Sequence, residues 1–99
     1  MLPSGLEIPE ERIAELCRQY GIQELAIFGS AARGDMRDDS DVDVMVEFFP
    51  NVVHGWEYFR IELELREIFG RRVDLATKKW MKPQVRARVL PEARVIYAA

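Results

Sequence analysis

From Asp41 to Phe48 the chain alternates. Val42, Val44 and Val46 fall on one side, and Asp41, Asp43, Met45 and Glu47 on the other. A period of two predicts a strand with one face in a core and one face in water. Upstream, Glu24 to Phe28 is a short apolar run that stops at Gly29-Ser30, as a buried strand does before a turn. Downstream, Val73 to Thr77 predicts a third strand, with Asp74 opposite in direction to Val73 and Leu75.

The helical period appears elsewhere. Pro9 to Tyr20 carries an apolar stripe of Ile13, Leu16, Cys17 and Tyr20 and ends at Gly21. Pro9 suits the first helical position, and Glu10 and Glu11 complement the positive end of the helix dipole. Trp56 to Phe69 is the longest predicted helix, closed by Gly70. It has two apolar flanks: Tyr58, Ile61, Leu65, Ile68 and Phe69 on one, Trp56, Phe59 and Leu63 on the other. Such a helix is either deeply buried or shared with a partner. A helical turn over Ala31–Gly34, a polar loop over Asp35–Ser40, a connection over 50–55, a helix over Pro83–Leu90 and a strand at Val95–Tyr97 complete the order. The predicted class is α/β (α+β), a small mixed sheet with helices packed on one face.

Ninety-nine residues predict one domain over 1–99, because neither half would have a core of its own. A chain this short buries only about 60–65% of its unfolded surface. Apolar surface is therefore left for a second copy or a different partner to cover, as a homo-oligomer or a hetero-oligomer. The start, MLPSGLEIPEER, lacks a basic segment followed by an apolar run, and no stretch approaches the roughly 20 apolar residues that span a bilayer. A cytoplasmic protein with no membrane association is the expectation. Cys17 is the single cysteine, so neither an internal disulfide nor a cysteine-cluster zinc site is available; its place in the stripe favours burial.

The net charge of −3 conceals an asymmetry. Residues 1–49 hold Arg12, Arg18, Arg33 and Arg37 against eleven acidic side chains. Residues 71–94 hold Arg71, Arg72, Lys78, Lys79, Lys82, Arg86, Arg88 and Arg94 against Asp74 and Glu92. This suggests a cation site at one end and anion recognition at the other, or a solvated basic surface. Nucleic acid is the least favoured partner, since no aromatic platform interleaves the basic residues.

Three groups of residues carry chemistry. Backbone amides at a strand-to-helix junction lack internal partners and bind phosphate oxygens; Gly29 leaves the approach open and Ser30 adds a hydroxyl. The plain alternative is a turn and a helix cap. Asp41 and Asp43 lie on one face of a strand, roughly 6–7 Å apart at the backbone. With no Lys or Arg between or beside them, a hard divalent cation would relieve their repulsion; the alternative is two solvated edge-strand carboxylates. Asp74 stands mid-strand, where Asp is disfavoured without a function or a partner. Beside the Asp41–Phe48 strand it would share their face, and three such carboxylates can hold two metals around a phosphoryl group or accept the proton of an attacking hydroxyl. Its structural alternative is a salt bridge to Arg71 or Arg72. His54 reads as a surface residue, and Trp80 and Met81 as core more than partner contact.

Together these residues resemble a known family. Gly29-Ser30, a ten-residue spacer and Asp41-Val42-Asp43 match the signature of the DNA polymerase beta nucleotidyltransferase superfamily. The fuller run GSAARG…SDVDVMVEF followed by VDLAT closely resembles the minimal nucleotidyltransferase (MNT) domain proteins, over residues about 22 to 97. The resemblance implies a polymerase-beta-like nucleotidyltransferase fold and an antitoxin paired with a HEPN-domain RNase toxin. It further implies transfer of AMP from ATP, with two Mg²⁺ ions, onto a tyrosine of that toxin. Residue by residue, it makes Gly29 and Ser30 binders of the nucleoside triphosphate, Asp41 and Asp43 metal ligands, and Asp74 the third catalytic and metal-binding carboxylate. Arg33 matches a motif arginine, touching phosphate or bracing the loop through Asp35, Asp38 or Asp39. Two alternatives stand beside this reading. One is a non-catalytic antitoxin that occludes its partner through helix 56–69 and the basic C-terminal segment; the other is a transferase acting on a small molecule or an RNA end.

Overall fold

The computed structural model describes residues 5–52 and 54–99. The reading of the first residues as free of a leader falls partly on Met1–Ser4, and that of the 50–55 connection partly on Val53; both positions lie outside the described residues. The element order is α1 (Glu10–Tyr20), β1 (Ile22–Phe28), α2 (Ser30–Arg33), β2 (Val42–Phe48), α3 (Glu57–Phe69), β3 (Val73–Thr77), α4 (Pro83–Val89) and β4 (Arg94–Ala98). Two 3-10 turns, Lys78–Trp80 and Leu90–Glu92, flank α4. Pro9 caps α1 rather than opening its first turn.

The four strands form one mixed sheet in the order β3-β2-β1-β4. β1 pairs antiparallel with β2 and β4, while β2 and β3 run parallel. Parallel neighbours need a crossover, and α3 supplies it. The main core lies where α1 and α3 cover one face of the sheet. Ile13, Leu16 and Cys17 from α1 and Ile61 and Leu65 from α3 meet Leu25, Ile27, Val42, Val44, Val46 and Val73 there, as the alternation requires. Burial pushes the Cys17 thiol up to about 12, so this cysteine is an inert apolar group. Tyr58 ties α3 to the β3 edge: its hydroxyl donates to the Leu75 carbonyl at 3.2 Å and accepts from Thr77 Oγ1 at 3.1 Å.

The opposite face is not uniformly wet. α4 lies over its middle, where Val89 packs with Ala26 and Met45 and with the partly buried Phe28, Met81 and Val85. Met45 is therefore buried, although its alternation places it beside Asp43 and Glu47. One or two apolar side chains per strand on that face (Ala26 and Phe28 in β1, Met45 in β2) are too short a signal to announce a second layer. His54 is half-buried rather than superficial: its ring packs on Tyr20 and Phe48, and its Nε2 contacts the Tyr20 carbonyl. Met81 joins the small second core as expected, but Trp80 is 74% exposed.

Candidate active site

The register of three strands assembles the site. In the parallel pair, Asp43 stands directly beside Asp74, so both side chains leave the sheet on the same side. In the antiparallel pair, Asp43 stands beside Phe28, the last residue of β1. The next residue, Gly29, thus arrives against the Asp43 carboxylate. Asp41, two positions before Asp43, precedes β2, whose first amide, on Val42, donates to the Arg72 carbonyl at 2.9 Å. The three acids and the glycine-serine turn therefore meet at one end of the sheet, on the α4 face and away from α1 and α3.

Gly29 has φ 70° and ψ −149°, a conformation essentially reserved for glycine. A β-carbon built there would overlap Asp43 Oδ2 and lie 3.1 Å from its Cγ. Two separate constraints thus demand glycine at this position, one on the backbone and one on space. Ser30 opens α2, and the Gly29 carbonyl accepts from the amides of Ala32 and Arg33 at 3.1 and 3.0 Å. The amides of Ser30 and Ala31, first in the helix, have no acceptor within it.

Asp43 is the electrostatic centre. Burial raises its carboxyl above the ordinary carboxylate range, and the charges of Asp74 and Asp41 raise it further. Arg33 opposes this, and Glu92 adds to it. Arg33 takes the bracing position: its guanidinium lies 3.5 Å from Asp35 and 3.2 Å from Glu92. Of the three loop acids weighed for it, Asp35 is the one engaged, while Asp38 and Asp39 turn backbone carbonyls toward Arg71 and Arg72. Glu92 escaped the sequence reading because it sits far away in the chain, in a 3-10 turn that no motif marks.

One expectation about charge needs correction. Asp41 does have a basic neighbour, Arg72, with Nε 3.0 Å from Oδ1. That arginine comes from the start of the strand beside Asp41, so inspecting β2 alone misses it. The pair is exposed on both sides, 71% and 48%, and pairs of this kind contribute about 0–1 kcal/mol. Arg71 instead holds the 36–39 loop, donating to the carbonyls of Arg37 and Asp38. Asp74 forms no salt bridge to either among the described residues.

Half of the basic residues in segment 71–94, Arg71, Arg72, Lys78 and Arg86, are engaged in structural contacts. Lys78 reaches Glu47 at 3.6 Å and Glu24 at 3.9 Å, and Arg86 donates to the carbonyls of Lys78, Lys79 and Met81.

The donor set suits a hard divalent ion: carboxylate oxygens that repel one another, one of them with its proton affinity raised by the other two. Among the described residues no group of three His, Cys, Asp or Glu side chains closes around a metal position on its own.

A small mixed sheet with paired aspartates, a third acid in register and a glycine-serine turn against them defines a nucleotidyl-transfer enzyme. Residues 10–97 match the nucleotidyltransferase domain, and the chain belongs to that family. It is 36% identical over 85 residues to the protein adenylyltransferase MntA of Thermococcus cleftensis, an overlap of 84% of this chain and 81% of the relative. A solved minimal nucleotidyltransferase structure superposes with a TM-score of 0.77 at 34% identity, covering 95% of both chains. The fold alone is shared with a chain of a Shewanella oneidensis complex, a tri-AMPylated HEPN toxin with its MNT antitoxin. That match has a TM-score of 0.66 and 17% identity and covers 91% of this chain and 70% of the other.

Proposed function

We propose that this nucleotidyltransferase transfers AMP from ATP to a tyrosine hydroxyl of a cognate HEPN-domain toxin and so acts as its antitoxin. The observation that carries the reading is the pairing of Asp43 with Asp74 in adjacent strands, beside a glycine that leaves room for the Asp43 carboxylate. The name of the Thermococcus relative and the partners in the Shewanella complex support the acceptor.

In this reading the Ser30 and Ala31 amides and the Ser30 hydroxyl bind the triphosphate at the turn, with Gly29 open to its approach. Asp41 and Asp43 hold Mg²⁺, and Asp74 completes the carboxylate set. When bound, the ion neutralises charge on the phosphate oxygens and on the departing pyrophosphate. The tyrosine oxygen forms a bond to the α-phosphorus as the bond to the bridging oxygen of the β-phosphate breaks. Asp74 accepts the tyrosine proton. Most of the acceleration comes from positioning and charge neutralisation rather than from covalent chemistry by the protein. Arg33, held by Asp35 and Glu92, stands close enough to Asp43 to stabilise its charge.

The test is labelling with ATP carrying α-³²P, Mg²⁺ and the protein encoded by the neighbouring gene, expected to be of HEPN type. Label is expected on a tyrosine of that protein. Equal labelling by wild type and an Asp41→Ala, Asp43→Ala double variant would overturn the proposal. Rescue of toxin-expressing cells by the double variant would instead identify an antitoxin that works by occlusion.

A further inference from the structure

The second apolar flank of α3 faces solvent. Trp56, Phe59 and Leu63 are 65%, 68% and 56% exposed. Their spacing puts them in one stripe along the helix, and contiguous exposed apolar surface of this kind marks an interface. The stripe runs on to Gly70, which adds no side chain.

The charges bordering the stripe indicate what covers it. One border carries Arg60 and then Glu67; the other carries Glu62 and then Arg66, already paired within the helix at 3.0 Å. The order of signs is opposite on the two borders. When a helix meets an antiparallel copy of itself across a two-fold axis, each border meets its own reverse. With the axis beside Leu63, Arg60 faces Glu67 of the second copy, and Glu62 faces Arg66 of the second copy. Leu63 then meets its counterpart, and Trp56 falls opposite the bare Gly70. Arg60, stacked over the Trp56 ring at 5.6 Å, stays at the edge of the stripe, where this pairing needs it.

The geometry points to a homodimer formed by antiparallel α3 helices, its occupant a second copy of this chain. α3 packs on the sheet face opposite the Asp43–Asp74 pair, so both active sites remain open in the dimer. The proposal is independent of which acceptor the enzyme modifies.

Sedimentation equilibrium of the purified chain tests it. A reversible dimer is expected at micromolar concentration, and Leu63→Glu should weaken it by about tenfold or more. Arg60→Glu places like charges together twice in each dimer and should weaken it roughly threefold to tenfold. Adding Glu67→Arg to that variant should restore wild-type affinity, a rescue that only self-pairing in this register produces. Leu63→Cys, close to the axis, should form an intermolecular disulfide under mild oxidation while buried Cys17 stays silent. Melting curves of the dilute variants check that they are folded, as expected for an exposed position. A wild-type chain that stays monomeric, or a dimer indifferent to both Leu63→Glu and Arg60→Glu, overturns the proposal. So does a monomeric wild type whose Leu63→Glu variant loses a co-expressed toxin, since the stripe then docks a different protein.

Discussion

Gly29 and Asp43 occupy adjoining space so closely that a single added methyl group at residue 29 would displace the Asp43 carboxylate. The antiparallel register of β1 and β2 creates this contact, and the positive φ of Gly29 turns the chain away from it into α2. Gly29→Ala is therefore expected to damage both stability and chemistry. Strain at such a backbone conformation costs about 1–3 kcal/mol, which a denaturant melt would register. Transfer activity should fall by roughly 100-fold or more, because the displaced group is a proposed metal ligand. An alanine variant with normal activity would remove the close approach from the functional argument.

The raised pKa of Asp43 has a consequence for metal-free stability. The native state holds this proton more tightly than the unfolded chain does, so deprotonation favours unfolding. Stability should fall as pH climbs from the ordinary carboxylate value through the raised one. Removing the charge with Asp43→Asn should raise the melting temperature at neutral pH by about 1–4 °C without metal. The gain should vanish at pH values where wild-type Asp43 is already protonated. A clear loss of stability in Asp43→Asn would contradict this.

Ligand binding should reverse that order. Mg²⁺ with a non-hydrolysable ATP analogue binds the native state alone and should raise the wild-type melting temperature, by an amount that grows with ligand concentration. The Asp41→Ala, Asp43→Ala variant should show little of this shift. Equal shifts in both proteins would place the nucleotide elsewhere.

Asp41 and Asp74 should separate catalysis from folding. Asp41→Ala gives up only the exposed pair with Arg72, a loss of about 0–1 kcal/mol. Asp74→Ala removes an exposed carboxylate that repels Asp43. Both variants should melt close to wild type yet lose roughly 100-fold or more in kcat. Variants that unfold would assign these aspartates to structure instead.

Tyr58 makes the opposite case. Tyr58→Phe leaves the Leu75 carbonyl and the buried Thr77 hydroxyl without their partner, at a cost of about 1–3 kcal/mol. Activity per folded molecule should stay within about twofold, since the hydroxyl lies on the face away from the acids. Calorimetry alongside steady-state kinetics would show whether stability alone changes.

Where the sequence is periodic, it already contains this structure. Val42, Val44 and Val46 announce both the strand and its buried face, and the stop signals Gly21 and Gly70 lie at the observed helix ends. The acids at 41, 43 and 74 were legible because strand parity fixes the side a carboxylate takes once the neighbouring strand is known. β1 begins two residues earlier than its apolar run, because Ile22 pairs with Phe48 and Gln23 fills the irregularity that follows, beyond any alternation. Contacts between distant segments were not legible. Arg72 at Asp41, Glu92 at Arg33 and the α4 layer over Met45 all depend on how elements are placed in space. Local pattern does not encode that.

β3 lies at the edge of the sheet, held laterally by β2 alone, and it carries Asp74. Fraying of that one strand would withdraw the acid proposed to accept the tyrosine proton while α1, β1 and β2 remained packed. The enzyme would then switch off by local melting at temperatures where spectroscopic probes of the core still report a native protein. Any partner that clasps this edge would lengthen the working life of the catalyst without adding anything to its chemistry.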